Sequence, residues 1–160
     1  MHLRDKPECE AYTAPMDLTF AEDETANTVI QPDIFVVCGS IKGDKRVIGT
    51  PVLVIEILSP STARHDIIRK FTLYQKAGVK EYWIVDPENG RVDVFTHDGT
   101  GFDPGRRCVK GDKIAPAAFP DLTVDLDVIF PWIETLPEGD APDDPRPEEP
   151  GSEELARNRD

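Results

Sequence analysis

The chain has 160 residues, of which 39% are hydrophobic, and it carries a formal net charge of −13 at pH 7. This length and apolar content predict one globular domain, and the absence of an apolar run of ~18–20 residues excludes a membrane-spanning helix. The acidic balance argues against a strong, non-specific DNA-binding protein, because phosphate contacts need Lys and Arg.

The first half of the chain contains three segments with the composition of β-strands. Cys9–Phe20 is extended but interrupted by Pro15, which indicates an edge or bulged strand. Thr28–Cys38 is predicted as the second strand and ends at Gly39. Pro51–Leu58 is almost continuously apolar and β-branched, which is typical of a central strand buried on both faces.

A helix is predicted next. Three residues at its start are suitable N-caps: Ser59, Ser61 and Thr62. Asp66 lies early enough to interact favourably with the positive helix end. Ile67, Phe71 and Tyr74 have the spacing i, i+4, i+7 and form one apolar stripe that would face a sheet. Gly78 is expected to end the helix in a left-handed conformation.

Further strands complete the domain. Tyr82–Asp86 and Arg91–His97 flank Asn89-Gly90, which is a strong hairpin signal. Asp121–Phe130 supplies apolar residues that would close the domain. The order of strands, one crossover helix and more strands predicts an α/β fold with a mixed sheet and flanking helix. One helix covers too little of such a sheet, so a covering segment at the N-terminus is expected to be missing.

The last segment has a different composition from the rest. Residues 137–160 are acidic, and five prolines lie within Pro137–Pro150. Ten acidic residues and three arginines lie between Glu134 and the end, a net −7, which leaves −6 for the preceding residues. Such a segment buries too little apolar surface to offset its ordering entropy. We predict a folded domain over residues 8–136 and a disordered acidic, Pro-rich tail over 137–160.

The cysteines point to a reducing environment. Cys9, Cys38 and Cys108 are odd in number, widely spaced and contain no C-x-x-C pair. This pattern predicts neither a zinc site nor a disulfide framework. The charged first residues also lack the apolar stretch of a secretory signal. A soluble protein of the cytoplasm fits these features best.

Two acidic residues occupy unexpected positions. Glu56 lies in the middle of a strand that should be buried, where a carboxylate is costly unless it is paired or bound to a metal. Asp33 precedes another apolar strand and follows Pro32. If the two strands are neighbours, the carboxylates converge, and such hard oxygen ligands suit Mg²⁺ or Mn²⁺. The alternatives are a Glu56 paired with an arginine or bound by backbone donors, and an Asp33 that merely begins a strand.

Lys70 on the predicted helix is the candidate assisting cation. Asp66 and Lys70 are spaced i, i+4, so taken alone the pattern favours an ordinary surface ion pair of a few tenths of a kcal/mol. Lys70 also lies on the helix next to the Glu56 strand, so a role as the assisting cation stays open.

Four motifs occur in a fixed order along the chain. They are Gln31-Pro32-Asp33-Ile34, then Val54-Ile55-Glu56-Ile57-Leu58-Ser59-Pro60-Ser61-Thr62, then Asp66, Lys70 and Tyr74, and then Gly78-Val79-Lys80-Glu81-Tyr82-Trp83-Ile84-Val85-Asp86-Pro87. From about Ala14 to Phe130 the chain resembles the Uma-type restriction endonuclease family of the PD-(D/E)XK nuclease superfamily. The resemblance implies a restriction-endonuclease-like fold and a metal-dependent nuclease.

The resemblance also assigns roles. Asp33 matches the aspartate of the "PD" element and Glu56 the acid of the following strand, so both would bind Mg²⁺, with Mn²⁺ as a substitute. The superfamily's usual lysine, two residues after that acid, is replaced by Leu58, and the resemblance implies that Lys70 takes its role. Family members usually begin with a helical segment that adds another acid, and nothing in residues 1–8 matches it.

These inferences lead to one leading hypothesis and its rivals. The leading hypothesis is a Mg²⁺-dependent endonuclease that hydrolyses DNA phosphodiester bonds at Asp33, Glu56 and Lys70, with a homodimer implied because cutting both strands usually needs two sites. The main alternative is a catalytically inactive nuclease-fold module retained for nucleic-acid or protein binding. A truncated product without an independent fold is the third.

Overall fold

The computed structural model describes residues 6–20, 28–39, 41–42, 46–59 and 64–134. The tail predicted over residues 137–160 lies outside these residues. The strands are, in chain order, β1 (Cys9–Thr13), β2 (Asp17–Thr19), β3 (Val29–Ile30), β4 (Ile34–Cys38), β5 (Ile41–Lys42), β6 (Arg46–Ile48), β7 (Leu53–Ile57), β8 (Glu81–Asp86), β9 (Arg91–Thr96), β10 (Arg106–Val109), β11 (Lys113–Ile114) and β12 (Val124–Asp125). The helices are α1 (Arg64–Lys76), between β7 and β8, and α2 (Leu126–Ile129), after β12.

A six-stranded mixed sheet forms the centre of the fold, with the strand order β1-β4-β7-β8-β9-β10. Neighbouring strands are antiparallel except β7 and β8, which are parallel and joined by α1. The central position of β7 agrees with its continuous apolar sequence. Leu53, Val54 and Glu56 are buried, whereas Ile57 at the carboxyl end of the strand is exposed. The predicted mixed sheet with a crossover helix is confirmed.

The crossover helix ends where the sequence predicts. Gly78 has a φ of +73°, and the Val79 N–H donates to the Tyr74 carbonyl at 3.1 Å. A residue without a Cβ takes this left-handed conformation at little cost, so the chain can turn directly into β8. The hairpin predicted at Asn89-Gly90 is also present, and Gly90 has a φ of +59°. These local signals fix how α1, β8 and β9 follow one another.

The face of the sheet that carries α1 packs one half of the core. Tyr74 of α1 is fully buried against Tyr82 of β8, with ring centroids 5.0 Å apart. A second sheet of short strands, in the order β3-β2-β6-β5, packs beside the helix and contributes buried Leu18 and Val47. Helix and small sheet together form a single apolar cluster with the central strands.

The opposite face is covered by the segment that follows β10. Ile114, Phe119 and Phe130 are buried there against Trp83 of β8. Glu81, also buried on this side, accepts hydrogen bonds from the Trp83 indole N–H at 2.6 Å and from a backbone N–H of this segment. In the described residues, β-strands and turns thus cover this face of the sheet, and the missing N-terminal segment stays a prediction.

Two of the predicted strands are divided in the structure. Cys9–Phe20 splits into β1 and β2 at the cis peptide bond between Ala14 and Pro15. Thr28–Cys38 splits into β3 and β4, which belong to different sheets, at residues 31–33. Proline cannot donate a ladder hydrogen bond, so Pro15 and Pro32 mark the points at which the chain leaves one sheet for the other.

The structure corrects the prediction of no disulfide. Cys9 and Cys38 lie directly opposite each other on β1 and β4 and are joined by a disulfide, while Cys108 is a buried free thiol. Cysteine spacing alone missed this pair, because 29 residues separate its members and only the strand pairing brings them together. In the part of the chain that the structure describes, no helix is long and apolar enough to cross a membrane.

Candidate active site

Asp33 and Glu56 face each other across two neighbouring strands. The antiparallel register places Ile34 of β4 opposite Ile55 of β7, so one residue further along each strand brings Asp33 opposite Glu56. One carboxylate oxygen of Asp33, Oδ2, accepts a hydrogen bond from the Ile57 backbone N–H at 2.7 Å. The Asp33 carboxylate is thus bound to the strand that carries Glu56, and its charge acts on the Glu56 carboxyl.

Glu56 is buried, with only 6% of the residue exposed. Its Oε1 accepts a hydrogen bond from the Tyr74 hydroxyl at 2.6 Å, and its Oε2 accepts one from the Lys70 ammonium at 2.8 Å. Burial raises the pKa of the Glu56 carboxyl above its ordinary value, although the hydrogen bonds from Lys70 and Tyr74 oppose the rise. The charge of Asp33 adds to the rise, as expected of two neighbouring carboxylates.

Lys70 lies between two acidic residues. Its ammonium is 2.8 Å from Glu56 and 3.5 Å from Asp66, and 18% of its side chain is exposed. Burial alone would lower the pKa of Lys70, but the hydrogen bond and charge of Glu56 outweigh it, so this pKa is raised. The i, i+4 ion pair with Asp66 does form, yet the shorter contact of Lys70 is to the buried carboxylate of Glu56.

Tyr74 is the member of the cluster that sequence reasoning missed. It was assigned only to the apolar stripe of the helix, and its ring does pack in the core. Burial, and then the charge of Glu56, raise the pKa of Tyr74, so its hydroxyl keeps its proton and donates a hydrogen bond to Glu56. A signal was available, because Lys70 and Tyr74 are one turn apart and share a helix face.

A small pocket lies at the carboxyl ends of the parallel strands β7 and β8. Its volume is about 130 Å³, and it is lined by Leu58, Ser59, Ile67, Asp86, Glu88 and Asn89. Burial alone would raise the pKa of Asp86, but hydrogen bonds from Asn89 and the charge of Arg91, 3.0 Å away, lower it. Ligands of open α/β sheets commonly bind outside this edge of parallel strands.

The donor set fits a hard divalent cation. Asp33 and Glu56 offer carboxylate oxygens on one face, and Mg²⁺ commonly binds one or two carboxylates and completes its octahedron with water and substrate oxygens. Across the described ranges, no group of three or more His, Cys, Asp or Glu side chains is arranged to hold a metal ion. Asp33 and Glu56 are thus the two carboxylates that could contribute oxygen ligands on this face.

A protein-family model matches residues 1–128, which include Asp33, Glu56 and Lys70; its description is "Uma2: Putative restriction endonuclease". The chain belongs to the Uma2 family. The match begins before Ala14, where the motif resemblance starts, and ends close to Phe130. Leu58 and Lys70, which contacts Glu56 from the helix, both lie within the matched residues.

A solved structure shares the Uma2 fold of this chain. It is described as a "putative nuclease belonging to DUF820" from Anabaena variabilis ATCC 29413, and the two align with a TM-score of 0.64 at 18% sequence identity. The alignment covers 82% of this chain and 73% of the other. No match was found among curated proteins. The restriction-endonuclease-like fold expected from the sequence is confirmed.

Proposed function

We propose that this protein is a metal-dependent endonuclease that hydrolyses phosphodiester bonds in DNA. The observation that carries the proposal is the meeting of Asp33, Glu56 and Lys70 on one face of the central sheet. A buried carboxylate is costly to keep, and an arrangement that places a second carboxylate and a lysine beside it has the composition of a phosphoryl-transfer site. Membership of the Uma2 family supports the same reaction class.

In this proposal each residue has a distinct role. Asp33 and Glu56 would hold Mg²⁺, or Mn²⁺ in its place, and such an ion would supply Lewis-acid activation of the phosphodiester and of a water molecule. Lys70 can donate to a non-bridging phosphate oxygen and stabilise the charge that develops there. Its neighbour Asp66 keeps the ammonium at the solvent-facing side of Glu56, where a phosphate would approach.

Nicking of supercoiled DNA tests the proposal, with single-stranded DNA as a second substrate and with Mg²⁺, Mn²⁺ or EDTA. We expect metal-dependent nicking that Asp33→Asn and Glu56→Gln abolish and that Lys70→Met reduces about 100-fold or more. Asp93→Asn is the matched control, since Asp93 is a strand carboxylate whose partner is Arg107 at 2.8 Å. Nicking that survives both carboxylate substitutions would refute the assigned site.

The second candidate is a catalytically inactive nuclease-fold module that binds nucleic acid or another protein. The favouring observation is that both carboxylate oxygens of Glu56 already have protein donors, Tyr74 and Lys70. Folded protein that binds DNA in a gel-shift assay but nicks it under none of the three metal conditions would favour this candidate. Analytical ultracentrifugation with and without DNA would test whether a homodimer, which two-strand cleavage usually needs, forms.

A further inference from the structure

The two oxygens of the Glu56 carboxylate have different environments. Oε1 accepts its hydrogen bond from Tyr74, which is completely buried, whereas Oε2 accepts from Lys70, whose side chain is 18% exposed. Solvent therefore reaches this carboxylate from the Lys70 side. A cation arriving from solution would meet Oε2 before Oε1.

The two donors also differ in freedom of movement. The Tyr74 ring is enclosed by Phe20 and Tyr82, with ring centroids 6.3 Å and 5.0 Å away, so its hydroxyl cannot leave Oε1 without disturbing the core. Lys70 has a flexible four-carbon stem and a second carboxylate, Asp66, at 3.5 Å. The Tyr74 bond is therefore fixed, and the Lys70 bond is exchangeable.

Asp33 repeats this arrangement on the neighbouring strand. The Ile57 backbone N–H, part of the rigid strand β7, binds Oδ2 at 2.7 Å and sets the orientation of the carboxylate. Each of the two facing carboxylates thus has one oxygen held by a donor that cannot move away. In both residues, therefore, one carboxylate oxygen is fixed by a protein donor, and the other is the oxygen that would bind a metal ion.

We propose that Tyr74 is a positioning residue: it locks Glu56 through Oε1 and presents Oε2 to the divalent cation, which takes that oxygen from Lys70. The inference rests on the proposed function, because it concerns the same carboxylate and the same cation. Lys70 is then a built-in counter-ion that occupies Oε2 until the cation arrives, and its release leaves the ammonium beside the site with Asp66 as its remaining partner.

This arrangement predicts opposite effects for two substitutions on the same carboxylate. Tyr74→Phe removes the lock and should weaken Mn²⁺ binding by about 10- to 100-fold, the usual range for a lost partner of a metal ligand. Lys70→Met removes the competing cation and should strengthen Mn²⁺ binding by about tenfold, since it also removes the repulsion between two positive charges a few ångströms apart. A purely structural role of both residues would weaken binding in both variants.

The test is calorimetric titration of the folded full chain with Mn²⁺, without DNA and in mildly alkaline buffer that keeps carboxylates ionised. Wild type, Tyr74→Phe and Lys70→Met are compared with Tyr12→Phe, which removes the hydroxyl of another buried tyrosine, one that donates to Glu10. The control should bind Mn²⁺ as wild type does. Nicking by Tyr74→Phe should recover when the Mn²⁺ concentration is raised, because its defect is in affinity.

Each outcome decides between the positioning role and the proposed function. Suppose that Glu56→Gln abolishes Mn²⁺ binding. If Tyr74→Phe then binds Mn²⁺ as tightly as wild type, or if Tyr74→Phe and Lys70→Met are weakened equally, the positioning role alone is overturned. Binding that Glu56→Gln leaves unchanged, or no binding by wild type, would overturn the metal centre itself and the inference with it. If circular dichroism shows that Tyr74→Phe does not fold, Lys70→Met still tests the exchange at Oε2, because an unchanged or weakened Mn²⁺ affinity in this variant would overturn it.

Discussion

Replacing Lys70 with methionine should destabilise the protein in a strongly pH-dependent way. Methionine keeps much of the length of the side chain but removes the charge that lies 2.8 Å from Glu56, a carboxylate with only 9% of its side chain exposed. The folded variant then has two options. It must keep a buried carboxylate without its cation, or Glu56 must bind a proton.

Proton uptake sets the upper limit of the loss. A glutamate in the unfolded chain has a pKa of about 4.3, and one pKa unit corresponds to about 1.36 kcal/mol, so protonating Glu56 costs roughly 3.7 kcal/mol at pH 7 and roughly 1 kcal/mol at pH 5. Breaking a buried ion pair on one side typically costs about 3–5 kcal/mol. We therefore expect Lys70→Met to lower the free energy of unfolding by about 2–3.5 kcal/mol at pH 7 and by about 1 kcal/mol at pH 5.

Urea unfolding at the two pH values, followed by tryptophan fluorescence, measures this loss. Lys113→Met is the matched control, since Lys113 pairs with Asp125 at 3.3 Å but its side chain is 65% exposed. Solvent screens an exposed pair of this kind, so Lys113→Met should lose much less stability than Lys70→Met. Either of two results for Lys70→Met would refute the reasoning: a loss of stability below about 1 kcal/mol at pH 7, or a loss at pH 5 that is as large as the loss at pH 7.

Three further predictions concern stability away from the site. Replacing Cys9 and Cys38 together with serine should lower the free energy of unfolding by roughly 3.6 kcal/mol, the loop-entropy value for a cross-link between residues 29 apart, as measured by urea unfolding. Gly78→Ala should cost about 1–2 kcal/mol, because its φ of +73° disfavours any Cβ although no atom lies within 4 Å of one. Asp86→Asn should reduce stability at pH values above about 3.9, the pKa of an unfolded aspartate, because the lowered pKa of Asp86 in the fold favours the native state there. This difference should disappear as the pH falls through the folded pKa of Asp86.

Each of these has a control. Reduced wild type should unfold like the double serine variant, and a difference between them would contradict the disulfide prediction. Gly101→Ala should be close to neutral, since Gly101 lies outside the left-handed region and its Cβ would only touch Gln75 at 3.4 Å. A stability difference between wild type and Asp86→Asn that persists at the acid extreme would show that the carboxylate charge is not its cause.

The sequence alone predicted those features that depend only on residues close together in the chain. The carboxylate of Glu56 interrupts an otherwise apolar strand, and this mismatch alone marked the residue before any partner was known. The end of α1 and the turn at Gly90 follow from the conformational preferences of a few neighbouring residues, whereas the proposed N-caps Ser61 and Thr62 lie outside the described residues. Such features need no knowledge of which strands pair.

The partners of Glu56 depend on non-local geometry. Whether Lys70 meets Asp66 or Glu56 is decided by the rotation of α1 over the sheet, and the structure shows that it meets both. Tyr74 was assigned to packing because its ring lies in the apolar stripe, and its hydroxyl reaches Glu56 only because the helix crosses β7 at that point. The sequence pattern carries no information about that crossing.

Strand pairing was likewise beyond the sequence. β3 and β4 are adjacent in the chain and similar in composition, yet they pair in different sheets. The disulfide was missed for the same reason, since Cys9 and Cys38 become neighbours only when β1 adds to the edge of β4. Prolines marked where the chain changes direction but not which strand it joins afterwards.

The Cys9–Cys38 bridge also divides the chain into a covalently closed ring and a linear remainder. Asp33 belongs to the ring, whereas Glu56 lies outside it, so the two facing carboxylates sit on different topological parts of one molecule. A single protease cut between Cys9 and Cys38 would open the ring without releasing either piece. The nicked chain would keep its mass on a non-reducing gel and would separate into two fragments only after a thiol is added.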